Sequence, residues 1–260
     1  MDTRKRYVMI LAAMVSLGAL VLVALFFYGA IGAPRAFAQS RVREARRSGG
    51  ERVKKMVEDA GLTYPPHQVL IRHFKLEQGL EVWARDQGSR GFTLLKAYPV
   101  CEPSGTLGPK RRQGDLQVPE GVYKVDRFNP QSRFHLSLGI NYPNHSDRIL
   151  SDRRHPGGDI FIHGNCVTIG CIPIQDGPIE ELYIMALDSK NKSGLAPAVH
   201  VFPCRMGQDN CKAELEKRSA DNRDLKKFWD DLEKIYNYFE THKKLPRVRV
   251  DSNGRYMIDN

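Results

Sequence analysis

Short apolar runs dominate the middle of the chain. From residue 68 onward they are rich in Val, Ile, Leu, Phe and Tyr, several alternate with polar residues, and Gly and Pro separate them. Alternation with a period of two is typical of strands that bury one face. The pattern therefore predicts a mainly β domain with strands at residues 69–71, 80–84, 92–98, 121–125, 134–138, 160–162 and 199–202.

Two later segments have helical spacing instead. Residues 178–188 begin with a proline, which suits the first turn of a helix, and carry Glu180 and Glu181 near the start. This predicts one helix that packs on the sheet. In residues 220–242 apolar side chains recur at helical spacing, which predicts a helix that docks on its own domain. The final residues, 246–260, are predicted to be a short β or extended tail.

The N-terminus carries a long uncharged segment. Residues 7–28 contain no charge, follow three basic residues and exceed the ~20 residues that a helix needs to cross a bilayer. Residues 36–39, Ala-Phe-Ala-Gln, are typical of a signal-peptidase site. Residues 1–38 are therefore predicted to be a signal anchor or a signal peptide that brings the protein to a membrane. Basic residues on both sides leave the orientation open.

Basic residues between positions 35 and 55 contribute much of the formal net charge of +10. The tract includes Ser48, Gly49 and Gly50 and has few large apolar residues, which indicates a linker or a frayed helix, and residues 39–66 are predicted to be a basic linker that is solvated. Anionic lipid and wall polymer are alternative partners for such a tract. Because nothing in it is similar to a nucleic-acid-binding motif, we predict no nucleic-acid partner.

Candidate chemistry lies in the stretch GGDIFIHGNCVTIGCIPI. His163 ends an apolar run, Gly164 permits a turn, and residues 167–169 are predicted to form a returning strand that leads to Cys171. An imidazole beside a thiol can take its proton and leave a nucleophilic thiolate of low pKa. Cys171 is thus the candidate nucleophile, His163 the candidate proton acceptor and donor, and the N–H groups of Gly170 and Cys171 candidate oxyanion donors. On spacing alone, structural roles for both side chains stay open.

A signature that resembles the active site of the YkuD-type L,D-transpeptidases is carried by His163, Gly164, Thr168, Gly170 and Cys171. The flanking sequence, at residues 134–144 and 157–160, is similar to that of the YafK-like branch of this family. The similarity covers roughly residues 67–205. Two positions depart from the family pattern: Pro173 stands where many members have Arg, and Thr168 stands where Ser is usual.

The resemblance implies a β-sandwich catalytic domain at residues 67–205, followed by a C-terminal helical extension at residues 206–260. It also implies a cysteine acyltransferase without a cofactor, acting on peptidoglycan stem peptides at the meso-diaminopimelate carbonyl. The thioester would pass to an amine acceptor, giving a cross-link, or to water. Such an enzyme would be periplasmic, anchored to the inner membrane by its N-terminal helix or released by signal peptidase.

Several alternatives stay open beside this expectation. A carboxypeptidase or amidase of the same family would hydrolyse a stem-peptide amide or a protein-to-peptidoglycan amide, and a non-catalytic wall-binding module would keep only the fold. The carbonyl of Gly164 is a candidate for orienting the catalytic imidazole. Candidates for substrate binding are Thr168, Tyr142, His145 and His155, although a single His in a polar loop is often merely exposed.

Zinc is the alternative interpretation of His155, Asp159 and His163, which recur every four positions. Pro156 and the two glycines after it disfavour a helix there. On a strand, at ~3.3 Å per residue, Asp159 and His163 would lie roughly 13 Å apart, too far to share one ion. We therefore predict no metal site.

The chain has five cysteines. If Cys171 stays free, Cys204 and Cys211 are the favoured disulfide pair, as in proteins of oxidising compartments. Pairing of Cys101 with Cys166 stays open. Cys166 is also a rival nucleophile, and a disulfide between Cys166 and Cys171 would inactivate the enzyme.

Overall fold

The computed structural model describes residues 40–259. Its helices are α1 (residues 40–59), α2 (His145–Leu150), α3 (Asp176–Ser193), α4 (Asp209–Ser219) and α5 (Arg223–His242). Its strands are β1 (Gln68–Phe74), β2 (Gly79–Arg85), β3 (Thr93–Pro99), β4 (Gly121–Asn129), β5 (Ser137–Ile140), β6 (Phe161–His163), β7 (Ile172–Pro173), β8 (Ala198–Phe202), β9 (Arg247–Val250) and β10 (Tyr256–Asp259).

Eight strands form one continuous sheet in the order β3-β2-β1-β8-β4-β5-β6-β7, and β9 and β10 form a separate hairpin. Neighbouring strands are antiparallel, except for the parallel pairs β1–β8 and β6–β7. Strand β4 joins the two halves of the sheet, because residues 121–124 pair with β8 and residues 125–129 pair with β5. The prediction of a mainly β domain is confirmed. In place of the two separate sheets of a sandwich, the strands form a single sheet whose halves share β4.

The main core lies between this sheet and helices α1 and α3. It takes fully buried side chains from both halves of the sheet, such as Val69 and Ile162, and from α3, such as Leu182. The helix predicted at residues 178–188 is confirmed and extends further at both ends. It ends where Gly194 adopts a φ of 74°, a conformation that glycine reaches without strain. Because α3 contacts β5 and β6, it supports the strands that carry the candidate site from behind.

The predicted solvated linker is wrong for residues 40–59, which form helix α1; the alternative of a helix is nearer, but this helix is packed on the core and not frayed. Ala45, Val53 and Val57 follow one another at helical spacing and are completely buried in the main core. On the outer side, the guanidinium groups of α1 pair with carboxylates of α3, for example Arg52 with Glu181 at 3.5 Å. The apolar face escapes notice in the sequence because its residues are small and arginines and lysines surround them.

The C-terminal extension docks on the catalytic domain, as the apolar stripe predicts. A second core cluster joins β1 and β8 to the extension; its α5 members include Phe228, Trp229, Leu232, Ile235 and Tyr236. Two polar contacts cross the same boundary: the Trp229 indole donates to the buried Glu120 at 2.7 Å, and the buried Arg72 pairs with the half-buried Glu240 at 2.7 Å. The predicted β tail is confirmed as the β9–β10 hairpin.

Between residues 40 and 259, no helix has the length and apolar character required to span a membrane. The predicted membrane segment at residues 7–28 and the predicted cleavage site at residues 36–39 lie outside the described part of the chain.

Candidate active site

Strands β6 and β7 bring His163 and Cys171 to one face of the sheet. Ile162 pairs with Ile172, and His163 pairs with Pro173, in a parallel ladder. In the residue before Ile162, the Phe161 N–H donates to the Sγ of Cys171, the residue before Ile172, at 3.4 Å. Successive side chains of a strand point to opposite faces, so the two isoleucines enter the core while the imidazole and the thiol share the other face. The strand that returns beside β6 is β7, after Cys171, and not the predicted residues 167–169.

The His163 imidazole is held in one tautomer. Its Nδ1 lies 2.5 Å from the carbonyl oxygen of Gly164, and because a carbonyl only accepts, Nδ1 carries the hydrogen and Nε2 is the unprotonated nitrogen. The Phe134 ring stacks on the imidazole, with the ring centroids 4.7 Å apart. Burial lowers the pKa of His163, and the bond to Gly164 opposes this only in part. The ring is thus neutral near pH 7 and able to accept a proton at Nε2.

Gly164 fits its position because no side chain can. A Cβ at this residue would collide with the Asp176 carboxylate and lie 2.9 Å from the carbonyl oxygen of Phe134. The same carboxylate accepts from the N–H of Asn165 at 2.8 Å. The candidate orienting carbonyl is therefore fixed from behind by the first turn of α3.

The Cys171 thiol is half-buried and free. Burial raises its pKa, the Phe161 N–H partly opposes this, and the Asp159 carboxylate adds to the rise. This direction is opposite to the low pKa expected from the sequence, because the expected effect of a charged imidazole is missing when that imidazole is neutral. The resting thiol is thus protonated, with Sγ 3.6 Å from the carbonyl oxygen of Asp159, and the imidazole on the same sheet face is neutral, so proton transfer accompanies the attack.

Thr168 organises the turn that presents Cys171. Its Oγ1 accepts from the N–H groups of Gly170 at 3.1 Å and Cys171 at 2.8 Å, and it donates to the Cys171 carbonyl oxygen at 2.9 Å. The predicted strand at residues 167–169 is therefore wrong: the hydroxyl takes the hydrogen bonds that a ladder would need, and the segment is a turn. Both candidate oxyanion N–H groups are committed to Thr168, so they become available to a substrate only if that hydroxyl turns away.

The remaining predicted residues separate into two groups. Tyr142 is buried, and its hydroxyl donates to the carbonyl oxygens of Pro156 at 2.9 Å and Lys110 at 3.3 Å, so it ties two loops together and does not face a ligand. His145 is exposed at the start of α2 and lines neither cavity beside Cys171. His155 is exposed and does line a cavity with Cys171.

Two cavities meet at Cys171. The larger, of about 500 Å³, has a wall of basic and small residues that includes Lys110, Arg154, His155 and Gly158. The smaller, of about 240 Å³, is lined by His73, Glu102, Thr106 and Arg218, among others. Sequence reasoning missed the residues of the smaller cavity, because β1, a loop and α4 supply them from distant parts of the chain.

The interpretation as a zinc site finds no support in the described residues. Asp159 pairs with Arg127 at 3.0 Å, and His163 bonds Gly164. From residue 40 to residue 259, no three His, Cys, Asp or Glu side chains are grouped closely enough to hold a metal ion.

Four of the five cysteines form disulfides. Cys204 pairs with Cys211, which confirms the favoured prediction, and Cys101 pairs with Cys166, which settles the pairing left open. Cys166 is therefore unavailable as a rival nucleophile or as a partner for Cys171 in this structure.

Comparison with known proteins identifies the family of this chain. Residues 76–201 match the model of the YkuD family, the L,D-transpeptidase catalytic domain. Over 192 residues, 73% of each chain, the sequence is 36% identical to the Escherichia coli (strain K12) protein named "Putative L,D-transpeptidase YafK". The chain belongs to the L,D-transpeptidase family. This confirms the resemblance seen in the sequence, and the motif from His163 to Cys171 lies within the matched part.

Solved structures show a weaker likeness to this L,D-transpeptidase family member. The helical cell shape determining protein Pgp2 from Campylobacter jejuni aligns with a TM-score of 0.42 and 16% identity, over 71% of this chain and 73% of that one. Bd1075 from Bdellovibrio bacteriovorus aligns with a TM-score of 0.38 and 19% identity, over 76% and 79% of the two chains.

Proposed function

We propose that this member of the L,D-transpeptidase family is a cysteine acyltransferase that acts on peptidoglycan stem peptides at the meso-diaminopimelate carbonyl. The observation that carries the proposal is the arrangement of His163, with Nε2 free to accept a proton, on the same sheet face as the free thiol of Cys171. Family membership supplies the substrate class.

In the first half-reaction, His163 Nε2 takes the thiol proton while Cys171 Sγ attacks the carbonyl carbon. The tetrahedral intermediate places negative charge on the former carbonyl oxygen. Rotation of the Thr168 side chain about its Cα–Cβ bond would move Oγ1 away and release the Gly170 and Cys171 N–H groups to this oxygen. When the intermediate collapses, the C–N bond breaks, the imidazolium returns its proton to the leaving amine, and a thioester remains.

In the second half-reaction, an acceptor amine loses a proton to His163 Nε2 and attacks the thioester, forming an amide and regenerating the thiol. The two cavities beside Cys171 support this fate, because one can hold the acyl donor while the other holds the leaving or entering amine. The basic wall with Arg154 and His155 suits the free carboxylates of a stem peptide. Water in place of the amine would give hydrolysis, which is the second candidate.

Mass spectrometry of stem tetrapeptides incubated with the full chain tests the proposal, with Cys171→Ala as the control. Cross-linked dimers or exchanged D-amino acids made only by the parent would establish transpeptidation. Tripeptide alone would establish a carboxypeptidase, and release of an amine from a peptide-linked protein would establish an amidase. If the folded parent gives no product from any of these substrates, the proposed acyltransferase is wrong.

We also infer that the protein is exported and held at, or released from, the inner membrane. The apolar run at residues 7–28 and the two disulfides support this, because disulfides persist in oxidising compartments. Fractionation of cells followed by N-terminal sequencing tests it. A mature terminus near Gln39 would indicate cleavage, an intact terminus in the membrane fraction would indicate an anchor, and protein confined to the cytoplasm would contradict the inference.

A further inference from the structure

The disulfide between Cys101 and Cys166 links two loops that face each other at the candidate site. Cys166 lies between His163 and Cys171, whereas Cys101 begins the loop that follows β3, 65 residues earlier in the chain. That earlier loop, residues 101–119, supplies walls of both cavities beside Cys171. The bond therefore joins the segment that carries the nucleophile to the segment that shapes its surroundings.

The disulfide contacts strand β7, which pairs with the strand that carries His163. The Cys101 N–H donates to the Pro173 carbonyl oxygen at 3.1 Å, and Pro173 is the residue paired with His163. The Cys101 Sγ lies 3.6 Å from the carbonyl oxygens of both Pro173 and Asn165. A displacement of Cys101 would therefore also displace β7 and the turn before Cys171.

The segment between His163 and Cys171 has little packing of its own. Ile169 is 80% exposed and Val167 is 50% exposed, although both are apolar. Gly164, at the start of the segment, is bonded to Leu136 and to the His163 imidazole. Beyond Gly164, the hydrogen bonds of the segment are the Asn165 contact to α3, the Cys166 N–H bond to the Asn165 side chain and the bonds inside the Thr168 turn. Segments with few buried contacts open most easily, so the covalent bond is the main restraint between this turn and residues 101–119.

We propose that the Cys101–Cys166 disulfide positions the active-site turn and makes the enzyme sensitive to reduction. The proposal rests on the acyl-transfer function proposed above. A small dithiol would transfer two electrons and two protons to the bond, giving thiols at Cys101 and Cys166 while the reagent becomes a disulfide. Cys171 is unchanged in this step, but the turn that presents it is released and turnover falls.

The second disulfide provides a matched control within the same chain. Cys204 and Cys211 are completely buried beneath the extension, whereas Cys101 and Cys166 are partly exposed. Access of a reductant depends on exposure, so mild treatment should open the site disulfide first. The control pair lines neither cavity beside Cys171.

The test compares the full-length double variants Cys101→Ser/Cys166→Ser and Cys204→Ser/Cys211→Ser with the parent. We expect kcat of the site variant to fall about tenfold or more, since small misplacements of reacting groups are costly, while the control variant keeps kcat within about twofold. We also expect the pH profile of Cys171 alkylation by iodoacetamide to move to lower pH in the site variant alone, because the released turn exposes the thiol to water. Equal behaviour of the two variants, or a parental profile in the site variant, would overturn the proposal.

Reversible reduction covers the case in which the site variant does not fold. The parent is treated with increasing dithiothreitol, peptide mapping follows which disulfide opens, and circular dichroism follows the fold. Activity lost with the opening of Cys101–Cys166 and regained on reoxidation would support the proposal; full activity with that bond open would overturn it. Alkylation needs no peptide substrate, so a shifted profile without turnover in any sample would point to a wrong substrate, not to a wrong role for the disulfide.

Discussion

At the scale of single residues, the hydroxyl of Thr168 is the least expected feature of the site. It occupies both N–H groups next to Cys171 and also binds the Cys171 carbonyl oxygen. The methyl group that distinguishes Thr from Ser leaves this hydroxyl chemistry unchanged. Its main role is therefore to shape the turn, which differs from the substrate contact that the sequence suggests.

Removal of that hydroxyl should lower turnover. We expect Thr168→Ala to reduce kcat roughly tenfold, because hydrogen bonds of about 1 kcal/mol each that orient the nucleophile are lost. Thr168→Ser keeps the hydroxyl and should retain most of the parental kcat. Steady-state assays of both variants with the same stem peptide check this, and an Ala variant as active as the Ser variant would contradict it.

The pH dependence of kcat/KM should show a wide plateau. Burial lowers the pKa of His163 from its ordinary value of 6.5, so protonation of the base reduces the rate only below that pH. Burial raises the pKa of Cys171 from 9.0, so the alkaline limb should lie above that value. Asp159→Asn removes a negative charge that raises the thiol pKa, and should move only the alkaline limb to lower pH. An acid limb centred above pH 6.5 would refute the neutral imidazole.

At the scale of elements, helix α1 is the element that the sequence conceals. Its buried face is built from alanine, glycine and valine, and such residues give a weak apolar signal among arginines and lysines. Helix α5, with large aromatic residues at helical spacing, can be predicted from the sequence alone. The His163–Cys171 motif is also readable, because its residues are close in the chain. The wall of the smaller cavity cannot be predicted from the sequence, because only the tertiary fold brings Arg218 near Cys171.

Truncation of the α1 face should destabilise the whole domain. Val53→Ala leaves a cavity in the main core and should lower the free energy of unfolding by about 2 kcal/mol. Arg47→Ala, on the exposed side of the same helix, should change it by less than about 0.5 kcal/mol. Urea unfolding of the full chain measures both. Equal midpoints for the two variants would mean that α1 does not contribute to the fold.

At the scale of the whole molecule, the C-terminal extension reaches the active site. Residues 209–219 form α4, beyond the part matched by the family model, yet Arg218 of this helix lines the smaller cavity with Cys171. A guanidinium there can bind a carboxylate of the amine that leaves or enters. Through Arg218, the extension can therefore contribute to substrate binding, a role that its sequence alone does not predict.

Loss of this guanidinium should weaken binding more than chemistry. We expect Arg218→Ala to raise KM for a carboxylate-bearing stem peptide or acceptor about tenfold, with a smaller effect on kcat, because a charge-assisted hydrogen bond contributes roughly 1.5 kcal/mol or more. Lys217→Ala removes an equal charge from the neighbouring exposed position and should leave KM near the parental value. If both variants raise KM equally, the effect belongs to net charge and not to the cavity.

The contacts of Arg72 and Glu120 with the C-terminal extension indicate that the part of the chain matched by the family model does not fold independently. Both side chains are fully buried, and each has a partner on α5: Glu240 for Arg72 and Trp229 for Glu120. Residues 76–201 lack Arg72 and the whole of β1, and they also lack Lys75 and Trp229, which bind Glu120. The buried Glu120 carboxylate would therefore lose its ion pair and its indole donor if this range were excised. The unit of this chain that folds together is therefore larger than the residues that match the family model, and grafting those residues alone would transfer the reactive groups without the fold that keeps them in place.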